Sequence, residues 1–179
     1  MKHQPYLHIV ICIVSLGGLL SGIFAWIFLP DVLITELRSY AAGQVQSIAS
    51  TLKLSQCIQT VFFANALDLL RIYLYGMCLI GLPIVFIFLF VKCFSIGFSC
   101  CLLIQQSFIL CSTRILYIPV LCAAVVIGCR FALQLIQKQI DSPIRQLIQY
   151  TFIFAGLLLC VVLVSGVDGL SSYYYAIRQ

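Results

Sequence analysis

Charge is what this chain has least of. Only 8% of its 179 residues are charged, against about 25% in soluble domains, which excludes an ordinary soluble globule. Acids number five: Asp31, Glu36, Asp68, Asp141 and Asp168. On the span assignment below, each of them falls in a loop or at the end of a span, so no pair of carboxylates is set up for acid–base work inside a membrane. Histidine is nearly missing, with His3 and His8 close to the N-terminus. None of the ten cysteines forms a CxxC pair, so the spacing of a zinc or redox centre is absent. Serines such as Ser15, Ser95, Ser99 and Ser107 lack an evident histidine or lysine partner, which argues against an enzyme. The ten basic residues give a net charge of +5 but are scattered singly, not as the patch that nucleic acid requires. Internal repeats and low-complexity segments are also lacking.

What is present is apolar: 63% of the residues are hydrophobic, and the mean hydropathy is +1.16. Runs of roughly 20 such residues recur, each long enough to cross about 30 Å of hydrocarbon as a helix. The runs place spans at about 6–29, 72–91, 94–111, 115–136 and 148–167. The first is longer than a signal-peptide core and is followed by Pro30-Asp31 rather than a small-x-small cleavage site, so it reads as a retained span. The expected fold is therefore all-α, a polytopic helical membrane protein with about five transmembrane helices in a single membrane domain, 1–179.

Lys92 stands between two apolar runs in GLPIVFIFLFVKCFSIGF, residues 81–98. A lysine at the bilayer centre costs roughly 2.5–3.5 kcal/mol on insertion scales, so Lys92 is expected at a turn on the membrane surface. Ser112-Thr113-Arg114 and the segment from Gln137 to Arg145 supply the later turns. Lysine and arginine near span ends favour a cytoplasmic N-terminus and an extracytoplasmic C-terminus. The aromatic run Tyr173-Tyr174-Tyr175 reads as an interfacial anchor.

Segment 31–63 is the one sizeable region outside these spans. Leu33, Leu37, Tyr40, Ala41, Val45, Ile48 and Leu52 recur three or four apart, with Glu36, Arg38, Gln46, Ser47 and Lys53 on other faces. That is an extracytoplasmic amphipathic helix between the first and second spans, with Asp31 as its N-cap. It either lies on the outer leaflet or offers a docking face to another protein, and both can hold. Cys57 falls in this segment with no second cysteine to pair with. Gly17, Gly18 and Gly22 in the first span, and Gly76 and Gly81 in the second, allow backbones to approach, within the chain or between copies. Gln105, Gln106, Asn65 and Arg130 are the polar groups that a small transporter would use. Each also has a plainer role, as an interhelical hydrogen bond or a snorkelling stem.

Asn65, Gly76, Ile80-Gly81-Leu82-Pro83, Lys92-x-Phe94-Ser95-x-Gly97-Phe98 and Ile118-Pro119 follow one another in an order that resembles the stage II sporulation protein M family. Length, the long first loop, the five spans and Gln137-Lys138-Gln139 followed by Ser142-Pro143 agree with it. Departures are Ser112-Thr113-Arg114 where the family commonly has Pro-Gln-Asn, Cys93 where a glycine is usual, and Arg130 where a small residue is expected; the family's acidic residue after the fifth span appears as Asp168.

The resemblance implies a non-enzymatic scaffold, without cofactor or metal, acting in endospore formation. It would anchor and recruit exported peptidoglycan hydrolases at the mother-cell septal membrane during engulfment. Its partners would be those hydrolases and the lipid bilayer, with a homo-oligomer left open and no nucleic acid. The expected contact residues are Leu33, Glu36, Leu37, Arg38 and Ile48. Asn65, Gly81, Pro83, Lys92, Gly97, Pro119 and Asp168 are the family-motif residues expected to serve the architecture. The alternative is a small multi-pass transporter, or a membrane subunit of an unrelated export complex.

Overall fold

A computed structural model describes residues 5–51, 54–78, 80–103, 108–136 and 143–178. They form six helices: α1 (Pro5–Ile27), α2 (Asp31–Thr51), α3 (Leu54–Gly76), α4 (Gly81–Leu103), α5 (Phe108–Ile136) and α6 (Pro143–Arg178). No strand occurs among the described residues. Five helices are long and apolar enough to cross a membrane, over Tyr6–Ile27, Leu54–Gly76, Gly81–Leu102, Cys111–Leu135 and Ile144–Tyr174. The all-α polytopic architecture and its number of spans thus match the expectation, but the register of the middle spans does not.

The second span begins at Leu54, well before residue 72, and ends at Gly76. Expected segment 31–63 is consequently two things: α2, which stops at Thr51, and the first turns of α3, which carry Cys57. α3 is followed by a turn in which Met77 and Cys78 donate to the Leu74 and Tyr75 carbonyls at 3.2 and 3.1 Å and Gly81 donates to the Cys78 carbonyl at 3.0 Å. Glycine and proline mark this turn more reliably than the charge does. A Cβ on Gly81 would fall on the Tyr75 carbonyl, and Pro83 sits in the first turn of α4, where a missing N–H costs nothing. Lys92 is then in the middle of α4, eleven residues from Gly81, and not at a surface turn.

Two further boundaries move for a related reason. Ser112-Thr113-Arg114 is not a break but part of α5, and the Thr113 hydroxyl donates to the Asp168 carboxylate at 2.8 Å, so its polarity is satisfied within the bundle. Asp31 is the first helical residue of α2 and not its cap: the Pro30 carbonyl accepts from Leu33 and Ile34 at 3.0 and 3.2 Å. There its carboxylate still complements the positive end of the helix dipole. Pro119 lies inside α5, where it removes the bond to the Ile115 carbonyl and invites a bend.

α5 is the central helix, packed against α1, α3, α4 and α6. Leu121, Ala124 and Val125 on it are fully buried. Around this axis α1 runs parallel to α4, as successive contacts of Gly18 with Phe90 and Cys93 and of Gly22 with Phe94 and Phe98 show. α3 runs antiparallel to α6, with Tyr73 stacked on Tyr150 at 5.0 Å and Asn65 meeting Ser165 farther along. The glycine patch of α1 serves this internal packing: a Cβ on Gly22 would fall on the Phe94 carbonyl, and one on Gly97 would come within 2.5 Å of the Leu19 oxygen. Gly76 lies in the same way against Gly128 and the Tyr150 hydroxyl. At 36 residues, about 54 Å at 1.5 Å each, α6 exceeds the thickness of a bilayer, and it also packs against α2.

Candidate functional site

Two features stand out: a polar cluster inside the bundle and a groove beneath α2. The cluster is built on one face of α3. Asn65, Asp68 and Ile72 follow at helical spacing toward the bundle interior, and Asp68 is 3% exposed. The carboxylate meets two cations. Its Oδ2 lies 2.5 Å from Lys92 Nζ of α4, and its Oδ1 lies 3.4 Å from Arg71 Nη1 one turn along α3. The Lys92 stem also brings its ammonium to 5.7 Å from the Phe88 ring centroid.

This pairing explains how a lysine can occupy mid-membrane. An isolated charge there is expensive, whereas a paired one with further contacts is tolerated. Taken singly, each charge is costly in lipid, so Asp68 is expected at a span end and Lys92 in a turn. A signal was available: the two lie 24 residues apart across a hairpin whose glycine and proline turn falls midway between them.

The remaining motif residues tie neighbouring helices to the same region. Asn65 donates its side-chain amide to Ser165 Oγ of α6 at 2.9 Å, and its backbone carbonyl accepts from the Tyr117 hydroxyl of α5 at 3.2 Å. Asp168 of α6, buried and well inside that helix, accepts from Thr113 of α5. Arg130 leaves α5 at the opposite end and meets His8 Nε2 of α1 at 2.7 Å. Gln105 and Gln106 lie outside the described residues. Among the described residues no group of three or more His, Cys, Asp or Glu side chains is placed to hold a metal ion.

The groove is of another kind. It has a volume of about 930 Å³ and is lined by Leu29, Leu33, Glu36, Leu37, Ser39, Tyr40, Gly43 and Phe98. Three of the five expected contact residues, Leu33, Glu36 and Leu37, therefore share one wall. Arg38 belongs to a different face, with its guanidinium carbon 5.9 Å from the Trp26 ring centroid, and Trp26 in turn meets Phe98 edge-on at 5.5 Å. The Ile48 side chain lies outside the described residues.

The architecture is thus that of a multi-pass helical membrane protein whose interior carries a paired charge and whose one helix outside the spans borders an open groove. Residues 10–167 match the family described as Stage II sporulation protein M. The chain belongs to that family. Neither a curated protein nor a solved structure gives a significant match.

Proposed function

We propose that this chain is a non-enzymatic membrane scaffold that anchors exported peptidoglycan hydrolases at the mother-cell septal membrane during engulfment. Family membership over residues 10–167 carries this reading. The position of α2 supports it: a helix outside the five spans, with Leu33 and Tyr40 46% and 68% exposed, offers a face to proteins that work beyond the membrane.

The scaffold has its N-terminus in the cytoplasm and its C-terminus outside. With the helices as described, Arg71, Arg130 and Arg145 fall toward the inner side, whereas Arg38, Arg114 and Arg178 fall toward the outer one. Of the outer residues, Arg38 sits in the longest connection, on α2, and charges in long connections weigh less in setting topology. Terminal tags probed in intact and permeabilised cells test this orientation, and an N-terminal tag reached in intact cells would reverse it.

Tagging the full chain in its sporulating host, extracting in mild detergent and identifying co-purifying proteins tests the scaffold. Exported peptidoglycan hydrolases are expected. Leu37→Asp should reduce their recovery while leaving the chain in the membrane, and unchanged recovery would count against α2 as the contact. The Asp68–Lys92 pair favours a second reading, since ionisable groups in mid-membrane often mark a transport path. Solute flux in proteoliposomes holding only this chain, abolished by Asp68→Asn, would establish that reading instead.

A further inference from the structure

We propose that the groove beneath α2 receives an apolar helix of an exported partner, one that carries a lysine or arginine opposite Glu36. The inference rests on the scaffold reading and names the chemistry of its partner.

Periodicity is the first argument. Leu33, Glu36, Leu37, Tyr40 and Gly43 recur at three- and four-residue steps along a single stripe of α2 and line the same groove. From Leu33 to Gly43 the stripe is about 15 Å long, nearly three turns. Such a row of knobs separated by one-turn gaps is what a second helix packs against. At the end of the stripe, a Cβ on Gly43 would meet nothing within 4 Å, so a backbone can approach closely there. The opposite wall is Phe98 of α4, and α2 takes its main support from α6, which leaves the groove side uncovered.

Charge is the second argument. Glu36 sits between Leu33 and Leu37 on this wall. Among the described residues the ion pairs are those of Asp68 with Arg71 and Lys92, and neither involves Glu36, so Glu36 has no cation there. Filling the groove with hydrocarbon alone would take water from a carboxylate and return no partner, which is costly. An incoming helix with one basic residue fills the apolar space and pairs the acid in the same step.

The test places a photoreactive benzoylphenylalanine at Leu33 in the full-length chain, expressed in the sporulating host, and maps adducts by peptide mass spectrometry. The expected adduct is an apolar segment of an exported protein with a lysine or arginine within one turn of the cross-linked residue. Glu36→Lys should lower its yield about tenfold or more, the loss expected for a desolvated charge pair, and a basic-to-glutamate change in the partner should restore it. Glu36→Gln, which keeps the shape, should give an intermediate yield, and membrane insertion of every variant controls for folding. Adducts with lipid alone or with a second copy of this chain overturn the proposal, as does a yield indifferent to Glu36→Lys. Hydrolases recovered with the tagged chain but absent from the groove adduct overturn the groove and leave the scaffold standing. An anchored protein of another kind, cross-linked in a Glu36-dependent way and without hydrolases in the eluate, supports the groove and overturns the scaffold.

Discussion

The α1–α4 seam and the α3–α6 seam solve one problem in opposite ways. α1 and α4 are strongly apolar, both with mean hydropathy 2.3, and lipid is as good a surrounding for them as each other. Their association has to come from shape. Gly18, Gly22 and Gly97 remove the side chains that would hold the backbones apart, so close packing replaces the hydrophobic effect that water would provide. α3 has a mean hydropathy of only 1.3 and carries Asn65, Asp68 and Arg71. It is a poor guest in lipid by itself, and its neighbours answer with polar groups: Ser165 for Asn65 and Lys92 for Asp68, beside stacked rings at Tyr73 and Tyr150. A marginal helix is held by specific bonds, and a comfortable one by fit.

The sharpest way to break the contrast is Lys92→Met. It leaves Asp68 buried without its nearest cation and should cost about 3–5 kcal/mol, read as a fall in the thermal stability of the purified chain in detergent. Joining it to Asp68→Asn should recover most of the loss, because the penalty belongs to the buried carboxylate left with only the longer Arg71 contact; a double variant as unstable as the single one would refute the pairing. Next in size is Gly97→Val in the apolar seam, expected to cost about 1–3 kcal/mol by overpacking against Leu19. In the same assay, Gly156→Ala should change little, since a Cβ there meets nothing within 4 Å. The smallest effect is expected from Asn65→Leu, about 0.6 kcal/mol for an average interhelical hydrogen bond in lipid. If Asn65→Leu exceeded Gly97→Val, the assignment of bonds to one seam and fit to the other would be reversed.

Much of this arrangement is legible in the chain. The apolar runs specify a membrane bundle, and their number is right even though the middle boundaries are displaced, because one misplaced turn at Lys92 stands in for the real one just before Gly81. Leu33 and Leu37 on the amphipathic stripe of α2 are visible from spacing alone. What stays hidden is pairing. Asn65, Asp68 and Lys92 each look too polar for hydrocarbon, and local reasoning pushes them to the surface one at a time. Arg38 fails in a milder way: on a helix two positions from Glu36 it must turn to another face, and it lies over Trp26 instead of lining the groove.

By itself the sequence determined that the chain would lie in a membrane as helices, since 63% hydrophobic residues in runs of that length have no other way to satisfy their backbone groups in lipid. It also determined where α1 would pack tightly, through glycines, and that α2 would carry an apolar stripe. Only the tertiary structure decided that Asp68 and Lys92 belong inside, because the energy of a charge in hydrocarbon is set by its partner across the hairpin and not by the residue alone. It likewise decided that Glu36 would border a groove without a cation, since that follows from how α2 is set beside α1, α4 and α6.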